Sequence, residues 1–341
     1  MWLDFSYKKI FSSKKLYSSF WKRKIFSFLE EWYNKNTLLT IYTSGTTGVP
    51  KKIFVKKQHM YEKAIQSVEF LKIKKKKIIG LLCLSTDFIA AKMFLVRAII
   101  FKWKIYCVPP SSNPLKNVKY NFDIVSMVPI QVFFSFKHLK NVKILLIGGC
   151  SISNFLEKKL QNITTICYDT YGMTETLGHI ALKKINGLNK SIFYKSFKDV
   201  HLSIDKRNCL GIFSKSMNFF IQTNDIVHMI SKDRFRWIGR YDHIINSGGI
   251  KVVPELIEKD INPFIPCNKR FFISSIPDKI LGEKIVLVIE GDFFPLTIPK
   301  FIFNGEKKFY KPKKVFFISH FTKNLLEKFN RKKIIKQINK N

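Results

Sequence analysis

Short apolar runs alternate with helical patterns through the first two thirds of the chain. Runs at 38–43, 78–84, 104–108, 123–127, 143–147 and 163–167 have strand length, and 57–71, 88–101 and 152–160 read as helices. Such alternation predicts a largely parallel, helix-covered sheet. From about 192 the helical signal fades, and 199–204, 210–214, 226–230 and 234–238 read as antiparallel strands. After Arg240-Tyr241-Asp242 the character changes again. Pro254 suits the first turn of a helix, and strands are expected at 270–275 and 284–290, joined through Ile276-Pro277-Asp278. A strand at 314–318 and a basic helix complete the pattern. The expected class is α/β. A large N-terminal domain, 1–240, holds a mainly parallel helix-covered sheet plus a small antiparallel part, and a small α+β domain spans 241–341.

At 341 residues and 46% hydrophobic, the chain can bury a substantial core. Its formal net charge is +36, from 60 Lys and Arg against 24 Asp and Glu. That excess would suit nucleic acid or an anionic membrane surface. The lysines, however, run from end to end, at 74–77, 313–314 and 332–333 for example, and accompany abundant Ile, Phe and Asn. A/T-rich coding accounts for that set, so no specific nucleic-acid partner is expected. None of the six cysteines forms a C-x-x-C pair, and their spacing with the seven histidines builds no zinc site. Buried thiols in a reducing compartment fit. The N-terminus lacks the apolar core and small-residue cleavage site of a signal peptide. The most apolar long stretch, 78–101, carries Asp87, Lys92 and Arg97, charges that a membrane span would bury at high cost. A soluble cytoplasmic protein without a transmembrane segment is the expectation.

Residues 42–51 read Tyr-Thr-Ser-Gly-Thr-Thr-Gly-Val-Pro-Lys. Gly45 and Gly48 permit a tight turn and close approach to a ligand. Thr43, Ser44, Thr46 and Thr47 supply hydroxyls, Lys51 supplies a mobile cation, and backbone N–H groups in such a turn form an anion nest. The parts suit a triphosphate, without the Walker spacing. The run resembles the phosphate loop of the adenylate-forming superfamily, which includes acyl- and aryl-CoA ligases, luciferases and peptide-synthetase adenylation domains.

Further segments match that superfamily in order. Tyr-Asp-Thr-Tyr-Gly-Met-Thr-Glu-Thr at 168–176 follows an apolar run, at the mouth of a parallel sheet where ligands of open α/β folds bind. The resemblance implies that Tyr171 lies on the adenine with Gly172 beside it, that Thr174 touches the α-phosphate, and that Glu175 holds Mg²⁺, for which a hard carboxylate oxygen is suited. Gly148-Gly149-Cys150-Ser151 resembles the loop between adenine and acyl pocket. Thr223-Asn224-Asp225 resembles the T-G-D motif, whose Asp grips the ribose hydroxyls, with Asn224 in place of Gly. Gly239-Arg240-Tyr241-Asp242 resembles the hinge motif. It implies Arg240 at ribose or phosphate and Asp242 at the point about which a mobile C-terminal domain rotates. Ser247, Gly248 and Gly249 match the loop lining the pantetheine tunnel. Residues 321–331 resemble the C-terminal F-P-x-T-x-x-G-K-x-x-R motif, with Thr322, Asn324 and Glu327 departing from it. This register makes Lys328 the adenylation lysine, with Lys323 the other candidate and Arg331 behind it. The resemblance covers about residues 38 to 331. Most relatives carry well over a hundred residues before the phosphate loop and this chain about forty, as in a compact variant or an enzyme completed by a partner subunit.

Within the superfamily, 171–181 is most similar to the o-succinylbenzoate–CoA ligases of menaquinone synthesis, including compact ones. That substrate has two carboxylates, one of which reacts while the other must be held. A buried carboxylate requires a cation or strong donor, and Lys92 and His179 are the candidates, with Gly148 bordering the acyl pocket. The implied co-substrates are ATP and CoA, with Mg²⁺, and the partner is a small-molecule acid. A homo-oligomer is compatible with the sequence. The alternatives are a CoA ligase for another aryl or a fatty acid, a non-catalytic remnant, and a basic nucleic-acid-binding protein with a contiguous cationic face.

Overall fold

The computed structural model describes residues 1–7, 19–43, 51–73, 77–266, 269–322 and 330–339. Among these, twelve strands form one continuous sheet. Its parallel part runs Lys104–Cys107, Ile79–Leu82, Phe122–Met127, Val142–Ile147 and Ile166–Met173. Trp2–Asp4 closes one edge antiparallel to Lys104–Cys107.

Pleating places neighbouring residues of these strands on opposite faces. Leu81, Val125, Leu145 and Cys167 stand in register and face one core, with Val132, Leu156 and Leu160 from the helices Pro129–Ser135 and Asn154–Leu160. Leu82, Ile124 and Leu146 face the other, with Leu29, Met60, Ala64 and Phe94 from the helices Phe20–Tyr33, Lys57–Phe70 and Ile89–Ile100. A sheet covered on both faces explains why its strands read as unbroken apolar runs.

The antiparallel part is larger than the sequence suggested, and it continues the same sheet. Ile166–Met173 turns directly into Gly178–Lys184, followed across the sheet by Tyr194–Ser196, Arg234–Arg240, Phe219–Ser231, Cys209–Ser214 and Val200–Ile204. A second difference concerns the strand expected at 163–167. It begins at Ile166 and runs on through Met173, so the Tyr-Gly-Met segment is itself strand. Its hairpin partner Gly178–Lys184 extends it, a long-range pairing that local composition does not encode.

Beyond Arg240, Ile245–Ser247, Ile250–Val252, Phe271–Asp278, Gly282–Glu290 and Lys314–Ile318 make a separate sheet. Ile285, Leu287 and Ile289 face helix Pro254–Ile261, which begins at the expected proline. Val286 and Val288 face Phe321 and Ile334, the latter from helix Arg331–Ile338. Strand Phe271–Asp278 runs through Pro277 rather than turning there, and the reversal falls at Lys279–Leu281. The Asp278 carboxylate accepts the N–H groups of Ile280 and Leu281, both at 3.0 Å, and so fixes that turn. No helix among the described residues is long and apolar enough to cross a membrane.

Candidate active site

Three of the segments singled out in the sequence meet at the carboxyl ends of the parallel strands. Gly148, after Val142–Ile147, lies against Thr170 so closely that a Cβ would stand 2.2 Å from the threonine Oγ1. Gly149 has φ +89°, a backbone state that glycine adopts without strain. Across this contact, a bulge between Tyr171 and Gly172 shifts the strand register. A Cβ on Gly172 would stand 2.1 Å from the Gly178 carbonyl oxygen and 2.5 Å from the His179 Cα. Only glycine lets the two arms of this hairpin approach so far.

The hairpin tip, 174–177, is pinned by buried Thr176. Its Oγ1 accepts the Met173 N–H at 2.9 Å and lies 2.7 Å from the Gly178 carbonyl, to which it donates. The Thr174 carbonyl accepts the Leu177 N–H at 3.0 Å. Glu175 projects from this tip, exposed, and its carboxylate accepts no hydrogen bond among the described residues. One uncommitted carboxylate fits a magnesium ion that takes its other ligands from nucleotide phosphates and water. No group of three or more His, Cys, Asp or Glu that could hold a metal occurs among the described residues.

The Tyr171 ring packs against Phe235 and Tyr194, with centroids at 5.0 and 5.8 Å. Its hydroxyl donates to Asp225 Oδ2 at 2.6 Å. Burial, and after it the Asp225 carboxylate, pushes this hydroxyl well above its usual pKa, so it remains the donor. Asp225 Oδ1 accepts from Arg240 Nη1 at 3.3 Å, and Arg240 donates through Nε and Nη2 to the two oxygens of Asp242 at 2.9 and 3.2 Å. Burial opposes the Arg240 charge, but the bonds to Asp242 and Asp225 outweigh it and raise the guanidinium pKa. The expected adenine, ribose and hinge residues thus form one chain: Tyr171, Asp225, Arg240, Asp242.

The phosphate-loop residues Ser44, Gly45, Thr46, Thr47 and Gly48 lie outside the described residues, as do Lys323 and Lys328. The stems of the phosphate loop are described. Leu38–Tyr42 pairs antiparallel with Lys52–Lys56, and the Thr43 N–H donates to the Lys51 carbonyl at 2.8 Å. Thr43 is buried and Lys51 exposed. Arg331 binds Glu258 with its two terminal nitrogens at 2.7 and 3.0 Å, tying helix Arg331–Ile338 to helix Pro254–Ile261.

Ser247, Gly248 and Gly249 form the turn between two short strands. Gly248 and Gly249 have φ +60° and +81°, and Ser247 pairs with Ile250. Two consecutive positive φ values in a two-residue hairpin loop define a type I′ turn, which itself demands residues such as glycine. The turn accounts for both glycines without any ligand.

The two acyl-pocket candidates separate. Half-buried Lys92 points its ammonium over the Phe28 ring at 5.0 Å, in the field of Glu31 and Asp87. His179 shares a 2.7 Å hydrogen bond with Ser67 and packs edge-on to Phe197. The cation that reaches the His179 side is Arg97, five residues beyond Lys92. The residue is 3% exposed, its guanidinium reaches Ser67 Oγ at 3.5 Å, and its Nε finds no acceptor among the described residues. Burial lowers its pKa to about 10. Nearby buried Lys63 is already occupied by Gln66 at 3.0 Å and Asp199 at 3.5 Å. Burial, then the charges of Arg97 and Lys63, hold His179 well below the usual histidine range, so it is neutral near pH 7. Sequence reasoning missed Arg97 and Ser67. The available signal was a lone arginine inside the most apolar stretch of the chain.

The AMP-binding enzyme family matches residues 12–195, more than half of the sequence, and the chain belongs to it. The 2-succinylbenzoate–CoA ligase of Lactococcus lactis is 24% identical over 214 residues. That alignment takes in 58% of this chain and 47% of the relative, so the match spans about half of the relative's length. An AMP-forming acyl-CoA synthetase/AMP-acid ligase II-like protein from Dyadobacter fermentans superposes with a TM-score of 0.63 at 29% identity, covering 95% of this chain and 96% of that one. The o-succinylbenzoate coenzyme A synthetase of Bacillus subtilis, solved with ATP and magnesium, superposes with a TM-score of 0.72 at 18% identity, covering 86% and 68%. The last shares the fold of this chain.

Proposed function

We propose that this chain is an AMP-forming acid–CoA ligase whose acid carries a second carboxylate, and that o-succinylbenzoate is that acid. The reaction would serve menaquinone synthesis in the cytoplasm. The observation that carries the reading is Arg97: a buried guanidinium, incompletely hydrogen-bonded, beside a neutral histidine. An unpaired buried charge is costly, and a spectator carboxylate of the substrate would relieve it with charge-assisted hydrogen bonds. A fatty acid has no group to offer there. The names of the relatives point the same way.

The chemistry then divides in two. The reacting carboxylate oxygen attacks the α-phosphorus of ATP, forming a C–O–P link as the bond to the β-phosphate breaks and pyrophosphate leaves. Thr174 would hold the α-phosphate, Lys51 with Thr43, Ser44, Gly45, Thr46, Thr47 and Gly48 the leaving phosphates, Asp225 and Arg240 the ribose, and Tyr171 with Gly149 and Gly172 the adenine. Magnesium, held by Glu175 and the phosphates, would neutralise phosphate charge. Lys328 would balance charge at the forming bond. In the second step the CoA thiol adds to the acyl carbon, the C–O bond breaks, AMP departs with that oxygen, and the thiol proton is lost. Between the steps the unit from 241 onward would turn about Asp242 and bring Ser247, Gly248 and Gly249 to the pantetheine arm.

AMP release with MgATP, CoA and each of o-succinylbenzoate, benzoate and a fatty acid tests the proposal. Turnover on the first alone, reduced about 10²- to 10³-fold in Lys328→Ala, is the expected result. Equal turnover on benzoate would remove the role given to Arg97.

A further inference from the structure

Asn224 stands where the family motif has glycine, and its side chain is used. Arg207 Nη1 donates to Asn224 Oδ1 at 3.2 Å, while the same guanidinium lies 5.0 Å from the ring centroid of Tyr241. A glycine at 224 would have no side-chain oxygen to accept this bond from Arg207. The arginine therefore bridges the residue before Asp225 to the residue before Asp242. It runs alongside the bridge already described, in which Arg240 joins Asp225 to Asp242.

Arg207 is projected from a fixed turn. Asp205 Oδ1 accepts the N–H groups of Arg207 and Cys209 at 2.8 and 2.9 Å, and its Oδ2 accepts Arg207 Nε at 2.8 Å. Asn208 takes φ +58°, and its carbonyl accepts the Val227 N–H at 3.0 Å, anchoring the turn to the strand that carries Asp225. The guanidinium is thus held by its own turn on one side and has two groups left to hold, Asn224 and Tyr241.

We propose that Arg207 is a positioning residue that fastens the hinge segment 241–245 to the ribose-binding segment 223–225. This rests on the reading of Asp225 and Asp242 given above. The two bridges differ in one respect. Ribose hydroxyls donating to Asp225 would compete with Arg240 for its oxygens and loosen the Arg240 bridge. They would leave the Arg207 bridge intact. Nucleotide binding alone then frees the hinge only in part, and Arg207 sets the remainder.

Hydrogen–deuterium exchange of the full chain, with and without AMP, tests this in wild type, Arg207→Met and Arg207→Lys. In the absence of AMP, Arg207→Met should speed exchange across 241–245 by about threefold, the scale of an exposed cation–π contact. Lysine should restore part of the protection. AMP should raise exchange there in wild type and raise it further in Arg207→Met. Unchanged hinge exchange in Arg207→Met would overturn the proposal. So would an equal rise in strands Cys209–Ser214 and Phe219–Ser231, because Arg207 would then merely hold its own turn. Failure of AMP to bind wild type would instead remove the nucleotide-site reading, while the comparison without AMP still decides the role of Arg207.

Discussion

Arg97 concentrates the argument at the scale of single residues. Arg97 is buried with an Nε that finds no acceptor among the described residues, and in the proposed function a substrate carboxylate would satisfy it. Arg97→Met keeps much of the volume and removes the charge. Its stability in chemical denaturation should equal or exceed that of wild type, while kcat/KM for o-succinylbenzoate falls by roughly 10- to 100-fold, the range for a lost charged hydrogen bond. A large loss of stability with kcat/KM preserved would make Arg97 a structural cation. His179 supplies a pH signature. Its folded pKa lies well below its unfolded value, so between the two the unfolded chain takes up a proton that the folded chain refuses. Stability is then full above about pH 6.5 and falls as pH drops below it, with a slope approaching about 1.4 kcal/mol per pH unit. Denaturation curves from pH 7 to 5 should show this slope in wild type and a shallower one in His179→Gln.

The element scale shows what the sequence could and could not disclose. The parallel strands were legible because both sheet faces are buried and each strand is an apolar run, and three of the covering helices were legible too, whereas Phe20–Tyr33 and Pro129–Ser135 were not. The helix at Pro254 was legible from its proline. The extension of Ile166 through Met173 was not, because it depends on pairing with Gly178–Lys184 across a bulge at Gly172. The family resemblance was readable from short motifs, yet the cation beside His179 was not. Lys92 and Arg97 are five residues apart on one helix, and only packing against Phe28 and Ser67 separates their surroundings. The glycine pair at 248–249 carries the opposite lesson, since its turn geometry is sufficient reason for it. Asparagine is favoured in type I′ turns, so Gly248→Asn should fold with wild-type stability. If a pantetheine arm also passes there, the same variant should raise the KM for CoA and leave the KM for ATP unchanged. Steady-state kinetics with each substrate varied in turn separates these effects.

At the scale of the whole molecule, a large sheet presents Gly148, Gly149 and the 171–175 segment at the carboxyl ends of parallel strands, joined through Tyr171 to Asp225 and Arg240 of its antiparallel strands, and a smaller sheet follows Asp242. The net charge of +36 sets no part of this architecture. Its lysines are distributed along the chain, while the cations that matter to the proposed site are few and specifically held. Arg240 is shared between two carboxylates, Lys63 is occupied by Asp199, and the Arg97 Nε has no acceptor among the described residues. The proposed reaction proceeds through an acyl-adenylate, in which an oxygen of the acid becomes the bridge to phosphorus. Turnover of o-succinylbenzoate labelled with oxygen-18 in its carboxylates measures that directly. Mass spectrometry should find one labelled oxygen in each AMP released and none in pyrophosphate. Unlabelled AMP, or label in another phosphate product, would contradict the mechanism and with it the functional assignment.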